Sequence, residues 1–130
     1  MTQAIVWNYP ELDRLLKSRS GPVGRDLEKR SAKVLAAAKI QVGTNTGALK
    51  VSINQNFERS AMGPKILIGS SLSYALMHHE GTKPHVIVAK PSQVLRFRNR
   101  AGVAVYAHTV VHKGTKPNRF LTDNLRLAVL

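Results

Sequence analysis

The sequence predicts an α+β fold with a mainly antiparallel sheet. Helical periodicity is confined to the N-terminal third and to the C-terminus. Between them lie short apolar or alternating runs separated by Gly and Pro, which cluster rather than alternate with long helices, and this argues against a doubly wound sheet. With 130 residues, 43% of them hydrophobic, the chain is long enough to bury a core without staples and is predicted to form one domain over 1–130.

Residues 1–20 are predicted to hold a short helix opened by Tyr9-Pro10-Glu11. Pro10 suits the first turn, Glu11 and Asp13 suit the positive end of the helix dipole, and Leu12, Leu15 and Leu16 form an apolar stripe. Pro22 breaks it and begins a longer helix over 22–42. Ser20 or Gly21 caps that helix, Val23, Leu27, Val34 and Ala38 share its apolar face, and Gly43 makes a left-handed stop. A sheet region is predicted over 48–112. Leu49, Val51 and Ile53 alternate with polar residues as a first strand, and Lys65–Gly69 follows the breaker Gly63-Pro64. Leu72–His79 allows a helical turn or two. His85–Val88 is a strand, and 94–107 is the clearest hairpin, with Leu95 and Phe97 on one face and Arg96 and Arg98 on the other. Its return strand is expected to run on toward Val111. Asn118 is expected to cap a closing helix over 118–127, striped by Phe120, Leu121, Leu125 and Ala128.

Lys and Arg number 20 against 7 Asp and Glu, a formal charge of +13. The two halves of the chain carry equal numbers of basic residues, but beyond residue 60 the only acids are Glu80 and Asp123. This pattern indicates a basic surface rather than a basic tail, and attraction to nucleic acid or to acidic protein. Aromatic residues are 5% and scattered, which disfavours a base-stacking platform for single strands. The absence of cysteine removes disulfides and thiolate chemistry. No apolar run approaches the ~20 residues of a membrane span, and Met1–Trp7 does not read as a signal peptide, so a protein kept in cytosol-like conditions is predicted.

Catalytic patterns are lacking. There is no Gly-x-Ser-x-Gly, no phosphate loop and no His-Glu-x-x-His, and the acids are too few to converge. His78, His79, His85, His108 and His112 read as turn-packing and hydrogen-bonding groups rather than metal ligands. Neither enzyme activity, cofactor nor metal is therefore predicted. Two features remain. His79-Glu80-Gly81-Thr82-Lys83-Pro84-His85 is echoed by His112-Lys113-Gly114-Thr115-Lys116-Pro117-Asn118. In each, Gly permits positive φ, Thr bonds nearby backbone and Pro forces an extended exit, so Gly81, Thr82, Pro84, Gly114, Thr115 and Pro117 are predicted turn residues from which Lys83 and Lys116 project. The second feature is a ladder of Arg96, Arg98 and Arg100.

The order of segments resembles a known family. A helix is followed by Thr46-Gly47-Ala48-Leu49-Lys50-Val51-Ser52-Ile53, then Ser73-Tyr74-Ala75-Leu76-Met77-His78-His79-Glu80-Gly81-Thr82, and finally His112-Lys113-Gly114-Thr115-Lys116-Pro117-Asn118-Arg119-Phe120-Leu121. Over about 25–127 this is similar to the small neck and tail-completion proteins of long-tailed bacteriophages, which often carry Pro where Lys113 and Arg119 stand. The resemblance implies a non-enzymatic virion protein, assembled in the host cytoplasm, that forms a homo-oligomeric, six-fold ring. Such a ring would act as head–tail connector or tail terminator beside neck and tail-tube proteins, around genomic double-stranded DNA and without a membrane. A ring of subunits this basic repels itself unless acidic matter neutralises it, and Arg96, Arg98, Arg100, Lys83 and Lys116 are predicted to make those contacts to DNA or acidic neighbours. The alternative is a free-standing basic nucleic-acid-binding protein.

Overall fold

A computed structural model describes residues 4–129. Met1–Gln3, the start of the segment read above as lacking a signal peptide, and Leu130 lie outside the described residues. The chain divides into two compact units, Met1–Ala75 with Arg119–Leu130, and Leu76–Asn118. The architecture is the α+β mix expected, but the antiparallel pairing is distributed over three separate two-stranded pairs.

The first unit contains α1 (Tyr9–Lys17), α2 (Pro22–Gln41), α3 (Ala48–Ser52), β1 (Ile53–Ser60), β2 (Gly63–Ser70) and a closing 3-10 turn at Leu125–Ala128. Asn8 caps α1 by accepting a hydrogen bond from the Glu11 amide at 3.3 Å. Glu11 also holds the exposed Arg14 guanidinium at 2.6 Å, raising its pKa by hydrogen bonding and then by charge. Helix α2 starts at Pro22 and gives way to Gly43 at φ 72°, as its sequence signals indicate. Its buried face is Gly24, Ser31, Val34 and Ala38, whereas Val23 is 39% exposed. The face is rotated from the expected one because Gly24 lies against the backbone of Ser18 and Arg19, where a side chain has no room.

Residues 48–52 correct the expected first strand. Gly47 at φ 81° turns the chain into α3, the Val51 amide donates to the Gly47 carbonyl at 3.0 Å, and Ser52 Oγ donates to the Leu49 carbonyl at 2.7 Å. Val51 is 75% exposed, so of the alternating residues only Leu49 and Ile53 reach the core. The strand begins at Ile53 instead and runs through a polar stretch with no alternating apolar signal. Ile53, Gln55 and Phe57 share a face, opposite Ser70, Ile68 and Ile66 in register. Gln55 is tolerated there because its Oε1 lies 2.9 Å from Ser31 Oγ of α2. Strand β2 takes in Gly63-Pro64, expected to precede it, because a strand in a two-stranded pair has a free edge for a residue without an amide hydrogen.

The core unites Ala38, Val42, Ile53 and Phe120, flanked by Leu35, Leu49, Ile68 and Leu121. Phe120 is 1% exposed. The helix expected over 118–127 does not form as such. A run of turns leads into the 3-10 turn at Leu125–Ala128, and Leu125 points to solvent. The reason lies in Asn124. Asn124 is buried and its side-chain Nδ2 donates to the Phe120 carbonyl at 2.7 Å, the acceptor that an α-helix would offer to the Asn124 backbone amide. The same side chain reaches Gln41 Oε1 at 2.7 Å, tying the terminus to α2.

The second unit opens with α4 (Ala75–Glu80), which begins in the first, and continues through β3 (His85–Val88), β4 (Leu95–Arg98), β5 (Ala104–Ala107) and β6 (Thr109–His112). β4 pairs with β5 as the expected hairpin, with Arg96 opposite Tyr106 and Phe97 opposite Val105. The return strand does run on past Ala107, but to a new partner: β6 pairs with β3, His85 opposite His112 and Val86 opposite Val111. The outgoing strand spends more residues between Val88 and Leu95 than the returning one does between Ala107 and Thr109. The excess loops out through a turn closed by the Gln93 amide on the Lys90 carbonyl at 3.0 Å.

Replacing Phe120 by Ala should destabilise the protein by about 3–5 kcal/mol, whereas Val51→Ser should stay within roughly 0.5 kcal/mol. Urea unfolding of both variants checks this contrast, which a core centred elsewhere would abolish.

Candidate functional site

The two Gly-Thr-Lys-Pro segments lie side by side in the second unit. Thr82 and Thr115 form an antiparallel bridge. The Thr82 amide donates to the Thr115 carbonyl at 3.1 Å, and the Thr115 amide donates to the Thr82 carbonyl at 3.0 Å. Each amide is also 3.1 Å from the other residue's hydroxyl, and the two hydroxyls are 3.1 Å apart. The repeat is thus a clasp with local two-fold symmetry. Its register matches that of β3–β6, so the clasp and the ribbon form one ladder, interrupted where Pro84 has no amide to donate.

The glycines follow from this approach. Gly81 sits at φ 73° and Gly114 at φ 82°. A Cβ on Gly81 would lie 2.5 Å from the Thr115 carbonyl oxygen, and one on Gly114 would collide with the Thr82 carbonyl oxygen. Both positions therefore need glycine twice over, for conformation and for space.

The flanking polar residues complete the clasp. His112 Nδ1 accepts from the Gly114 amide at 3.1 Å, and His85 Nδ1 donates to the Lys83 carbonyl at 2.9 Å. These partners assign opposite tautomers to the two rings, which face each other across β3–β6 with centroids 5.0 Å apart. Asn118, expected to cap the closing helix, instead pairs with α4: its amide hydrogen reaches the His78 carbonyl at 3.2 Å, and its Nδ2 donates to His78 Nε2 at 3.3 Å. His79 lies 2.6 Å from Glu80. Among the described residues no group of three or more His, Asp or Glu is placed to hold a metal ion.

The basic candidates separate into two sets. Lys83 and Lys116 are exposed beside the clasp. Arg96 and Arg98 share one face of the β4–β5 hairpin with Tyr106, while Leu95, Phe97, Val105 and Ala107 occupy the other. The Arg96 guanidinium carbon stands 5.9 Å from the centre of the Tyr106 ring, a cation–π contact that sequence reading missed because the two are distant in the chain. Arg98 Nη1 donates to the Gly102 carbonyl at 2.9 Å. The turn beneath Arg100 is stapled by Asn99. Its Oδ1 accepts from the Ala101 and Val103 amides at 3.0 Å each, and its backbone amide donates to the Val103 carbonyl at 2.9 Å. Arg96, Arg98 and Arg100 are thus exposed on a small, internally braced hairpin.

An apolar feature with no expectation attached to it lies on β3–β6. Val86 and Val111 are opposite each other, Val88 follows on the same face, and they are 57%, 72% and 66% exposed. Among the described residues this face stays largely open. No family model, curated protein or solved structure matches the chain.

Gly114→Ala should lower stability by at least about 1–3 kcal/mol from backbone strain alone, with the collision adding to it. Gly63→Ala, also at positive φ but with open space around it, should cost less. The comparison is read by thermal unfolding, and equal losses would count against the clasp.

Proposed function

We propose that this protein is a non-catalytic structural subunit of a homo-oligomeric ring in the neck or tail-completion apparatus of a long-tailed bacteriophage. The observation that carries the reading is the incompleteness of the second unit. Its ribbons are two strands wide, their outer backbone edges are unpaired within the described sheets, and Val86, Val88 and Val111 face solvent. Two-stranded ribbons of this kind are marginal by themselves, and contiguous exposed apolar side chains mark partner surfaces. The clasp supplies internal rigidity, which suits a segment that must present the same surface in every copy of a ring.

The charge sets a condition on this reading. A formal +13 on each copy opposes self-association at low ionic strength. A ring therefore needs acidic neighbours, or salt that shortens the reach of the repulsion to about 8–10 Å. The segment order from Tyr74-Ala75 through Gly114-Thr115-Lys116-Pro117-Asn118 to Phe120-Leu121, similar to that of the phage proteins, supplies the biological setting.

Native mass spectrometry of the full chain across a salt series tests this. Closed oligomers should appear as salt is raised, and Val86→Asp with Val111→Asp should return the protein to monomer while leaving its circular dichroism unchanged. A monomer at every salt concentration and in the presence of acidic virion components, or turnover of a substrate, defeats the proposal.

A further inference from the structure

The cationic face of the β4–β5 hairpin points to a more specific partner. We propose that Arg96, Arg98 and Arg100 bind the phosphate backbone of double-stranded DNA, independently of base sequence. The inference deepens the ring reading and rests on it for the source of the duplex.

The chemistry of the face selects among acidic partners. Across Leu76–Asn118 there are seven Lys and Arg and one acid, Glu80, and Glu80 is engaged by His79 at the far end from the hairpin. No carboxylate on the hairpin competes for its guanidinium groups. Arg96 and Arg98, two residues apart on one face, are separated by roughly 7 Å, a spacing comparable to that of successive phosphates along a strand, and Arg100 extends the series onto the turn. Planar guanidinium forks match phosphate oxygens better than a point charge does. The two long side chains are braced in advance, Arg96 against Tyr106 and Arg98 by the Gly102 carbonyl, so less freedom is lost on binding.

An acidic protein fits this face less well. Arginine and tyrosine serve protein interfaces too, but those centre on an apolar core, which this face of arginines with Tyr106 and Ala104 lacks. A single strand fits poorly too, because Tyr106 is the sole aromatic on the face and Arg96 lies over it. A two-stranded ribbon is narrow enough to enter the major groove of a duplex. The nearby amide side chain, Asn99, spends its oxygen on the Ala101 and Val103 amides, so that oxygen is not offered to base edges.

The test uses the full chain, a labelled 30-base-pair duplex of arbitrary sequence, and polyglutamate as competing polyanion, with binding followed by fluorescence anisotropy from about 50 to 200 mM salt. Changing Arg96, Arg98 and Arg100 together to Gln should weaken duplex binding at least tenfold and flatten the slope of log affinity against log salt by about 3. Changing Lys29, Lys33 and Lys50 to Gln removes the same charge elsewhere and should cost less than threefold. Changing the three arginines to Lys should keep the salt slope, which preserves the test if the Gln variant misfolds. Equal losses in the two Gln variants, tighter binding of polyglutamate than of duplex, or a lost slope in the Lys variant overturns the assignment. Oligomeric mass measured on the same samples separates the two proposals. A ring indifferent to the hairpin arginines and to DNA defeats only the DNA contact, and a monomer that binds duplex through them defeats only the ring.

Discussion

The reciprocal bonding of Thr82 and Thr115 is the constraint on which the second unit depends. Between Leu76 and Asn118 no large side chain is fully buried, so hydrophobic burial cannot by itself choose how the strands pair. The clasp chooses instead. By fixing one bridge it fixes the register of β3 on β6, and in a ribbon a slip of one residue would exchange its two faces. The histidines and Asn118 serve the same end, each satisfying a backbone group beside the clasp. A unit organised by directional hydrogen bonds rather than by a core is defined in shape and modest in intrinsic stability, and it gains most from contacts made outside itself.

The first unit works by the opposite principle. It is held by apolar packing of Ile53 and Phe120 with Ala38 and Val42, at the C-terminal end of α2. Ala38 permits the approach, and Phe120 fills the space from the other end of the chain. Asn124 and Ser31 are buried polar groups that would weaken such a core if left unpaired, yet both have partners. The chain leaves this unit at Ala75 and re-enters it at Arg119. The second unit is in effect an insertion between the β1–β2 pair and the phenylalanine that closes the core.

Taken together, the two units suggest a division of labour. The first supplies folding energy. The second displays the valines of β3–β6 and the arginines of β4–β5 to solvent. These are different chemistries on different ribbons.

Much of this was legible in the sequence. Helix α2, its proline start and glycine stop, and the 94–107 hairpin with its two-faced arginine ladder are local matters, decided within a few residues by φ preferences and side-chain alternation. What depended on distant partners was not legible. Residues 48–52 alternate like a strand but form a helical turn, because no surface exists for Val51 to cover. The polar β1 is a strand because Ile66 and Ile68 need a neighbour and the Ser31 hydroxyl donates to Gln55 Oε1. The closing helix yields to turns because Asn124 turns its side chain to Gln41 and Phe120. The repeat reads as two local turns with each Thr bonding nearby backbone, but in the fold Thr82 and Thr115 bond each other across an antiparallel bridge, 33 residues apart. Backbone preference is written residue by residue, whereas burial and hydrogen-bond partnership belong to pairs that meet only when the chain has closed.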